Sequence, residues 1–305
     1  MGFDFGGILK FAFLGWYKEK WVLKYLAIFL ILTGAITYSS LLLVGTINPQ
    51  LAETNPMAYL SEFVSSFSLL MVISFVFGLV MSVFSYLLSV KALKMKKLGG
   101  AELTLVQWIK FVLAGIAVFF AALFSIFNLK LLWILACAVI LFVLSIILFA
   151  IGGALAFVGV FFLVISFMLL VLYMLIFVYN SIRLSLTSLF IIQEERSFTD
   201  ALKASWAASK GNVLNILIAS LLVGIVIAIA SWIASVPTVV YSVISALVLA
   251  VDGQSAVSSM TLISSPGYLL SMIPTVLVSA FASIASIFAE VAILAELTQK
   301  TKSRK

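Results

Sequence analysis

The chain has 305 residues, of which 65% are hydrophobic and only 10% are charged, and its formal net charge is +7. A soluble domain carries about 25% charged residues, because its surface must present polar groups to water. The composition therefore excludes a soluble fold, and the long continuous apolar runs favour membrane-spanning helices over the short alternating strands of a barrel. Basic residues facing anionic lipid explain the positive charge, so we predict membrane lipids and no nucleic acid as partners.

The residue types also limit the chemistry. The chain has no His and a single Cys, Cys137, which excludes a His/Cys metal site and an internal disulfide. The three Asp residues fall outside the apolar runs, and neither an HExxH motif nor a Ser–His arrangement is present. We therefore expect no enzyme activity, no catalytic residue, no cofactor and no metal. A cleavable signal peptide is not evident either, so the first span is expected to direct insertion.

The basic residues define the expected orientation. Except for Lys130, they fall into four clusters, at 10–24, 91–110, 183–210 and 300–305. None occurs between Lys24 and Lys91 or between Lys210 and Lys300. We therefore predict a multi-pass protein of the cell membrane. By the positive-inside rule, its four basic clusters and both termini lie in the cytoplasm. The loops near 48–61 and 251–267 are expected on the outer side.

The apolar runs predict a single polytopic domain. In chain order, its parts are an interfacial helix at 3–20, a hairpin at 21–90, a middle apolar region at 105–180, an amphipathic connector at 197–210, a hairpin at 212–297 and a basic tail at 298–305. Clear spans occur at 21–45, 63–90, 212–235 and 268–297, each long enough for a hydrocarbon core of roughly 30 Å.

The middle region allows two interpretations. It holds three apolar stretches, at 105–127, 131–151 and 154–179. Three crossings would place the third basic cluster outside, against the charge rule, whereas two crossings would keep it inside. We therefore predict an all-α transmembrane bundle of six spans with interfacial helices. Seven or eight spans remain open, partly because 238–251 is a further apolar stretch.

A weak internal repeat agrees with six spans. Three times, a partly polar segment with Trp and Lys precedes or opens an apolar run, at Trp16 and Lys20, Trp108 and Lys110, and Trp206 and Lys210. Both residue types are favoured at a membrane interface, where the indole sits at headgroup level and the ammonium reaches water. The pattern predicts three units of interfacial helix plus hairpin.

The connector at 197–210 is expected to be an amphipathic helix. Ser197 followed by Asp200 is typical of a capping box. Apolar residues then recur at a spacing of four, and lysines lie on the other face, so the helix would rest on the membrane, pack under the spans or dock a partner. The candidate interfacial and docking residues are Phe198, Leu202, Trp206, Lys203 and Lys210.

The same region carries a family resemblance. Arg183 near the end of an apolar helix is followed by SLFII, by the acidic QEE, and by ALKASW and KGN at the start of a new span. This order resembles the membrane domain of some glycerophosphodiester phosphodiesterases and related bacterial and archaeal multi-pass families of uncharacterised function. The characteristic match covers roughly 183–217. It implies a fold and a membrane location but not hydrolysis, because the chain has no room for a separate catalytic barrel of about 250 residues.

The sequence is consistent with two hypotheses of function. The first is a non-enzymatic membrane scaffold or accessory subunit with a membrane-protein partner, or a homo-oligomer. The alternative is a transporter or lipid-handling protein with a cavity among helices near Pro237 and Pro274. For that alternative the candidate functional residue is Glu290, because an ionisable group within an apolar run is costly to bury. A carboxylate that is hydrated or paired with Lys at the cytoplasmic interface is the other interpretation of Glu290.

Overall fold

The computed structural model describes residues 3–17, 19–45, 54–125, 129–194, 196–251 and 265–303. These residues are mostly helical and form no strand, which confirms the all-α class. The helices are α1 (Phe5–Leu14), α2 (Lys20–Gly45), α3 (Pro56–Met95), α4 (Leu105–Leu123), α5 (Leu132–Ile151), α6 (Ala154–Leu184), α7 (Thr187–Glu194), α8 (Phe198–Ala208), α9 (Val213–Val251) and α10 (Pro266–Ser303). Residues 48–53 of the first predicted outer loop, 252–264 of the second, and residues 304 and 305 of the basic tail lie outside the described residues.

Within the described ranges, seven helical segments are long and apolar enough to cross a membrane. The prediction was six spans with seven or eight left open, and the seven candidate segments fall within that range. The three stretches of the middle region form separate helices of 19, 20 and 31 residues, and even the shortest is about 28 Å long at 1.5 Å per residue. The apolar stretch at 238–251 adds no element, because it continues α9.

Side chains at the helix starts explain where several helices begin. Asp4, Asn55 and Thr104 precede α1, α3 and α4, and each accepts a hydrogen bond from the N–H three residues ahead, at 2.8, 3.2 and 3.2 Å. The first-turn amides of a helix have no partner within the helix, so these side chains stabilise the ends. The predicted interfacial helix at 3–20 is thus a shorter helix, α1, followed by a turn.

Two compact units divide the described residues. Unit 1 comprises those of 1–103 and 218–296, and it contains α1 to α3 and most of α9 and α10. Unit 2 comprises those of 104–217 and 297–305, and it contains α4 to α8. Each unit has candidate spans of its own, so each can be described as a small helical assembly.

In unit 2, α5 and α6 form a closely packed hairpin. Gly152 and Gly153 make the turn with φ of 77° and 61°, a left-handed conformation that glycine adopts without strain. Farther along α6, a Cβ added to Gly159 would lie 3.2 Å from a backbone oxygen of α5. The Ser166 hydroxyl donates to the Ala138 carbonyl at 2.8 Å. A small residue and a buried hydroxyl thus join the two helices, as is common between membrane helices.

In unit 1, α9 and α10 each contain one copy of a short proline motif. The sequences are VPTVV at 236–240 and IPTVL at 273–277, and both prolines lie inside their helices. A proline within a helix lacks the N–H for the carbonyl four residues earlier, and its ring crowds the preceding turn. Pro237 and Pro274 therefore weaken the hydrogen bonding of the turns before them.

The threonine after each proline bonds to the neighbouring helix. Thr238 Oγ1 donates to the Ser271 carbonyl at 2.9 Å, and Thr275 Oγ1 donates to the Ala234 carbonyl at 3.2 Å. Each accepting carbonyl lies three residues before the proline of its own helix, next to the carbonyl that the proline deprives of its donor. These two bonds, here called the reciprocal threonine pair, join the two weakened turns to each other, as interhelical hydroxyl bonds commonly do between membrane helices.

We expect the double substitution Thr238→Val with Thr275→Val to destabilise the protein by about 1 to 2 kcal/mol, because both interhelical bonds are lost. Unfolding of the purified protein with a denaturing detergent, followed by circular dichroism, measures the effect. Thr238→Ser with Thr275→Ser is the matched control, since it keeps both hydroxyls and should recover most of the stability. Equal stability of the valine and serine variants would contradict the role of the pair.

Candidate functional site

Unit 1 contains an apolar cavity of about 490 Å³, a size typical of small-molecule sites. All of the lining side chains are aliphatic or aromatic. The lining includes Phe13 and Trp16 from the α1 region, Leu23 of α2, Ile227 of α9, and Ala282 and Ala285 of α10. The small side chains of Ala282 and Ala285 leave this volume open, because a larger residue at either position would fill part of it.

Trp16 is fixed as part of the cavity wall. The residue follows α1, and its indole Nε1 donates to the Ala12 carbonyl at 2.7 Å. Its ring centroid lies 5.7 Å from that of Phe281, another lining residue, and the side chain is buried. The Trp16 N–H is thus satisfied within the protein, which allows the ring to be buried, and a position at headgroup level stays a prediction.

An aromatic cluster adjoins this wall. Its centre is the fully buried ring of Phe288 in α10. Phe11 lies 5.2 Å from it, and Trp16 and Trp21 each lie 6.4 Å from it, between ring centroids. Aromatic pairs at such distances add to the stabilisation from burial. The cluster therefore holds α1 and the start of α2 against α10, next to the cavity.

Cations of the second basic cluster lie over these rings. Lys91 Nζ is 4.8 Å from the Trp21 ring centroid and 5.0 Å from that of Tyr25, and Lys96 Nζ is 4.2 Å from that of Phe11. Such contacts are attractive cation–π interactions. They place the C-terminal end of α3, and its positive charge, beside the same aromatic cluster.

Two exposed lysines share helix faces with the cavity lining. Lys10 precedes Phe13 by three residues in α1, and Lys20 precedes Leu23 by three residues at the start of α2. Side chains three apart on a helix are neighbours on one face. By this spacing, an exposed lysine lies about one helical turn from a lining residue on each of two elements.

Glu290 does not line this cavity. It is half-buried in α10 and follows the lining residue Ala285 by five residues, about 1.4 turns, which turns it toward another face of the helix. The structure thus does not bring the predicted candidate carboxylate together with the apolar cavity. Its role as a coupling group stays a prediction.

The predicted docking residues lie in unit 2. Leu202 is buried against Ala121, Ala122 and Leu184, and the partly buried Phe198 and Trp206 pack against the same cluster. The apolar side of α8 therefore contacts α4 and α6. Of the three alternatives predicted for this helix, these contacts agree with packing against the spans. Lys203 and Lys210 are exposed, so the outward side of this region is basic.

The predicted cap of α8 is present with one difference. Ser197 Oγ accepts a hydrogen bond from the Asp200 N–H at 3.3 Å, as the capping box requires. The Asp200 carboxylate accepts from the Ser197 hydroxyl, whereas the motif predicted that it would accept from a backbone amide. The acid therefore orients the capping hydroxyl.

Arg183 is a residue whose importance the sequence analysis missed, since it was taken as one member of a basic cluster and of the family pattern. Only 9% of it is exposed. The signal that singles it out is its position: it lies in a long apolar helix, with no acidic residue between Glu102 and Glu194. An ionisable group in such a place is a functional candidate by default.

Comparisons of the chain with protein-family models, with curated proteins and with solved structures gave no match. The resemblance to the membrane domain of glycerophosphodiester phosphodiesterases therefore stays a prediction. What can be said of function follows from the geometry of the chain itself.

The packing of α8 gives a stability prediction. Leu202→Ala should destabilise the protein by about 2 to 3 kcal/mol, because it leaves a void among buried side chains. Lys203→Ala, at the adjacent exposed position, should change stability by less than about 0.5 kcal/mol. Thermal unfolding of both variants in the same detergent measures the difference. A Leu202→Ala variant as stable as the Lys203→Ala variant would show that this side of α8 does not pack inside the protein.

Proposed function

We propose that this chain is a non-enzymatic, lipid-binding protein of the cell membrane that holds an acyl chain in the unit 1 cavity. The observation that carries the proposal is the cavity itself, with its wholly aliphatic and aromatic lining. Water is unfavourable in an apolar cavity because it lacks hydrogen-bond partners there. Lipid tails surround any membrane protein and match the chemistry of this lining.

The charges near the cavity support a lipid with a headgroup at the basic end of unit 1. Lys10 and Lys20 are exposed and lie one helical turn from lining residues. Long lysine side chains extend along apolar surface and keep the ammonium in water. Each contributes about 1 kcal/mol of attraction toward an anionic membrane surface. The arrangement suits a molecule with an apolar tail and a negative headgroup.

A membrane scaffold or accessory subunit is the second candidate. The apolar side of α8 is occupied by contacts within unit 2, whereas Lys203 and Lys210 are exposed. A partner that meets this outward side would therefore present acidic rather than apolar residues. Loss of a co-purifying protein on Lys203→Glu with Lys210→Glu would favour this role.

The lipid proposal predicts a loss of bound lipid when the cavity is filled. Ala282→Phe places a ring in the cavity, whereas Leu270→Phe places the same ring about three turns earlier at an exposed position of α10 that does not line the cavity. Native mass spectrometry of protein extracted in mild detergent counts the retained lipid. We expect several-fold less lipid on Ala282→Phe than on Leu270→Phe.

Ala230→Leu narrows the cavity from α9 and tests the proposal independently if Ala282→Phe impairs folding. Circular dichroism and thermal unfolding establish that each variant is folded. Unchanged lipid retention in a folded cavity variant would overturn the proposal.

We also propose that all four basic clusters face the cytoplasm. With seven candidate spans, this orientation requires one helix of the middle region to enter and leave the bilayer on the same side. Lys94→Cys and Lys203→Cys, each in a Cys137→Ser background, place a single thiol at exposed positions of two clusters. A membrane-impermeant maleimide should label both from the cytoplasmic side. Labelling from opposite sides would mean that all three middle helices cross.

A further inference from the structure

Arg183 borders a second cavity, in unit 2, of about 350 Å³. The residue lies near the C-terminal end of α6, and Trp206 of α8 forms part of the same wall. Burying a guanidinium away from water is costly unless its charge and its hydrogen bonds are compensated. The contacts of Arg183 therefore show whether the protein compensates its charge and satisfies its hydrogen-bond donors.

The protein satisfies Arg183 in part. Its Nη2 donates to the Trp206 carbonyl at 2.6 Å and its Nε donates to Ser209 Oγ at 3.3 Å. The guanidinium carbon lies 3.5 Å from the Trp206 ring centroid, so the planar group stacks on the indole. These contacts fix the side chain in one orientation.

The compensation is incomplete in two respects. A guanidinium has five N–H donors, and the two hydrogen bonds leave three without an acceptor among the described residues. The contacting groups, a carbonyl, a hydroxyl, an indole and the Tyr179 ring, are neutral, and no carboxylate of the described residues pairs with the charge. The site therefore has a fixed cation with free donors beside an open volume.

The rest of the lining is divided between polar and apolar groups. Asn180, one turn before Arg183, is buried and held by donation from Nδ2 to Ser125 Oγ at 3.0 Å. Leu131, Leu175 and Ile176 form an apolar side. A ligand that fits this cavity would therefore have a negative group at one end and an apolar part at the other.

We infer that this cavity binds a phosphate group, with Arg183 as the principal contact, and that its source is the phosphodiester of an anionic membrane phospholipid. The planar fork of arginine matches phosphate oxygens in a bidentate geometry that lysine cannot reproduce. The apolar side then accommodates the start of an acyl chain. This site is separate from the unit 1 cavity and does not depend on lipid binding there.

Arg183 also has a structural role that the test must separate from binding. Its backbone carbonyl accepts from Ser205 Oγ at 2.8 Å, and its side chain links α6 to the end of α8. Removal of the side chain is thus expected to lower stability with or without ligand. The informative quantity is the additional stabilisation that a phospholipid gives.

The experiment compares thermal unfolding of the detergent-solubilised protein titrated with phosphatidylglycerol, with phosphatidylcholine or with inorganic phosphate. We expect phosphatidylglycerol to raise the unfolding temperature, and Arg183→Gln to weaken the apparent affinity about tenfold. Arg183→Lys should recover only part of the affinity, since it keeps the charge and loses the fork. Lys210→Gln, which removes an exposed cation of the same unit, should leave the affinity unchanged.

The outcomes are distinct. An equal loss of affinity in Lys210→Gln and Arg183→Gln would mean diffuse attraction to negative charge and would overturn the site. An Arg183→Gln variant that is less stable but responds fully to phosphatidylglycerol would leave Arg183 a structural role alone. Equal stabilisation by inorganic phosphate would support the phosphate site and reject a lipid as its source. Ile176→Trp, which fills the apolar side with Arg183 intact, should weaken phosphatidylglycerol more than inorganic phosphate.

Discussion

Lipid tails cannot form hydrogen bonds, so every peptide N–H and C=O in the hydrocarbon interior must find a partner within the protein. The long helices meet this constraint for most of the chain. Where proline weakens a helix, hydroxyl groups join it to its neighbour: Thr238 and Thr275 donate to carbonyls in the turns before the two prolines. The Trp16 indole likewise gives its N–H to a carbonyl of its own segment. The same requirement thus governs backbone and side chains.

Both cavities follow from how helices pack under this constraint. In unit 1, the lining side chains are aliphatic or aromatic and the Trp16 N–H is bonded to the Ala12 carbonyl, so the lining matches lipid tails. In unit 2, Arg183 retains donors that the described protein groups do not satisfy, so its cavity has a cationic end. The two cavities therefore suit different parts of a ligand. The unit 1 cavity offers shape and apolar surface, whereas the unit 2 cavity offers a positive charge and hydrogen-bond donors.

Local features were predictable from the sequence, whereas contacts between helices were not. Hydropathy predicts the all-α class because apolar length alone determines what can span a bilayer, and Ser197 marks its helix start because a cap needs only neighbouring residues. The charge rule and the helix lengths favour different numbers of spans, six and seven, because the rule reads the charges of loops and not the lengths of helices. The Arg183–Trp206 stack and the alanine-lined cavity depend on which helices meet, and periodicity carries no such information.

The reciprocal threonine pair limits how α9 and α10 can move. Each bond has its donor on one helix and its acceptor on the other, in opposite senses. A slide of one helix along the other by half a turn, about 2.7 Å, would break both bonds together. A change of register at this level therefore costs both bonds at once. Both helices also line the unit 1 cavity, so the cavity can widen with both bonds kept only if the helices pivot about the reciprocal threonine pair.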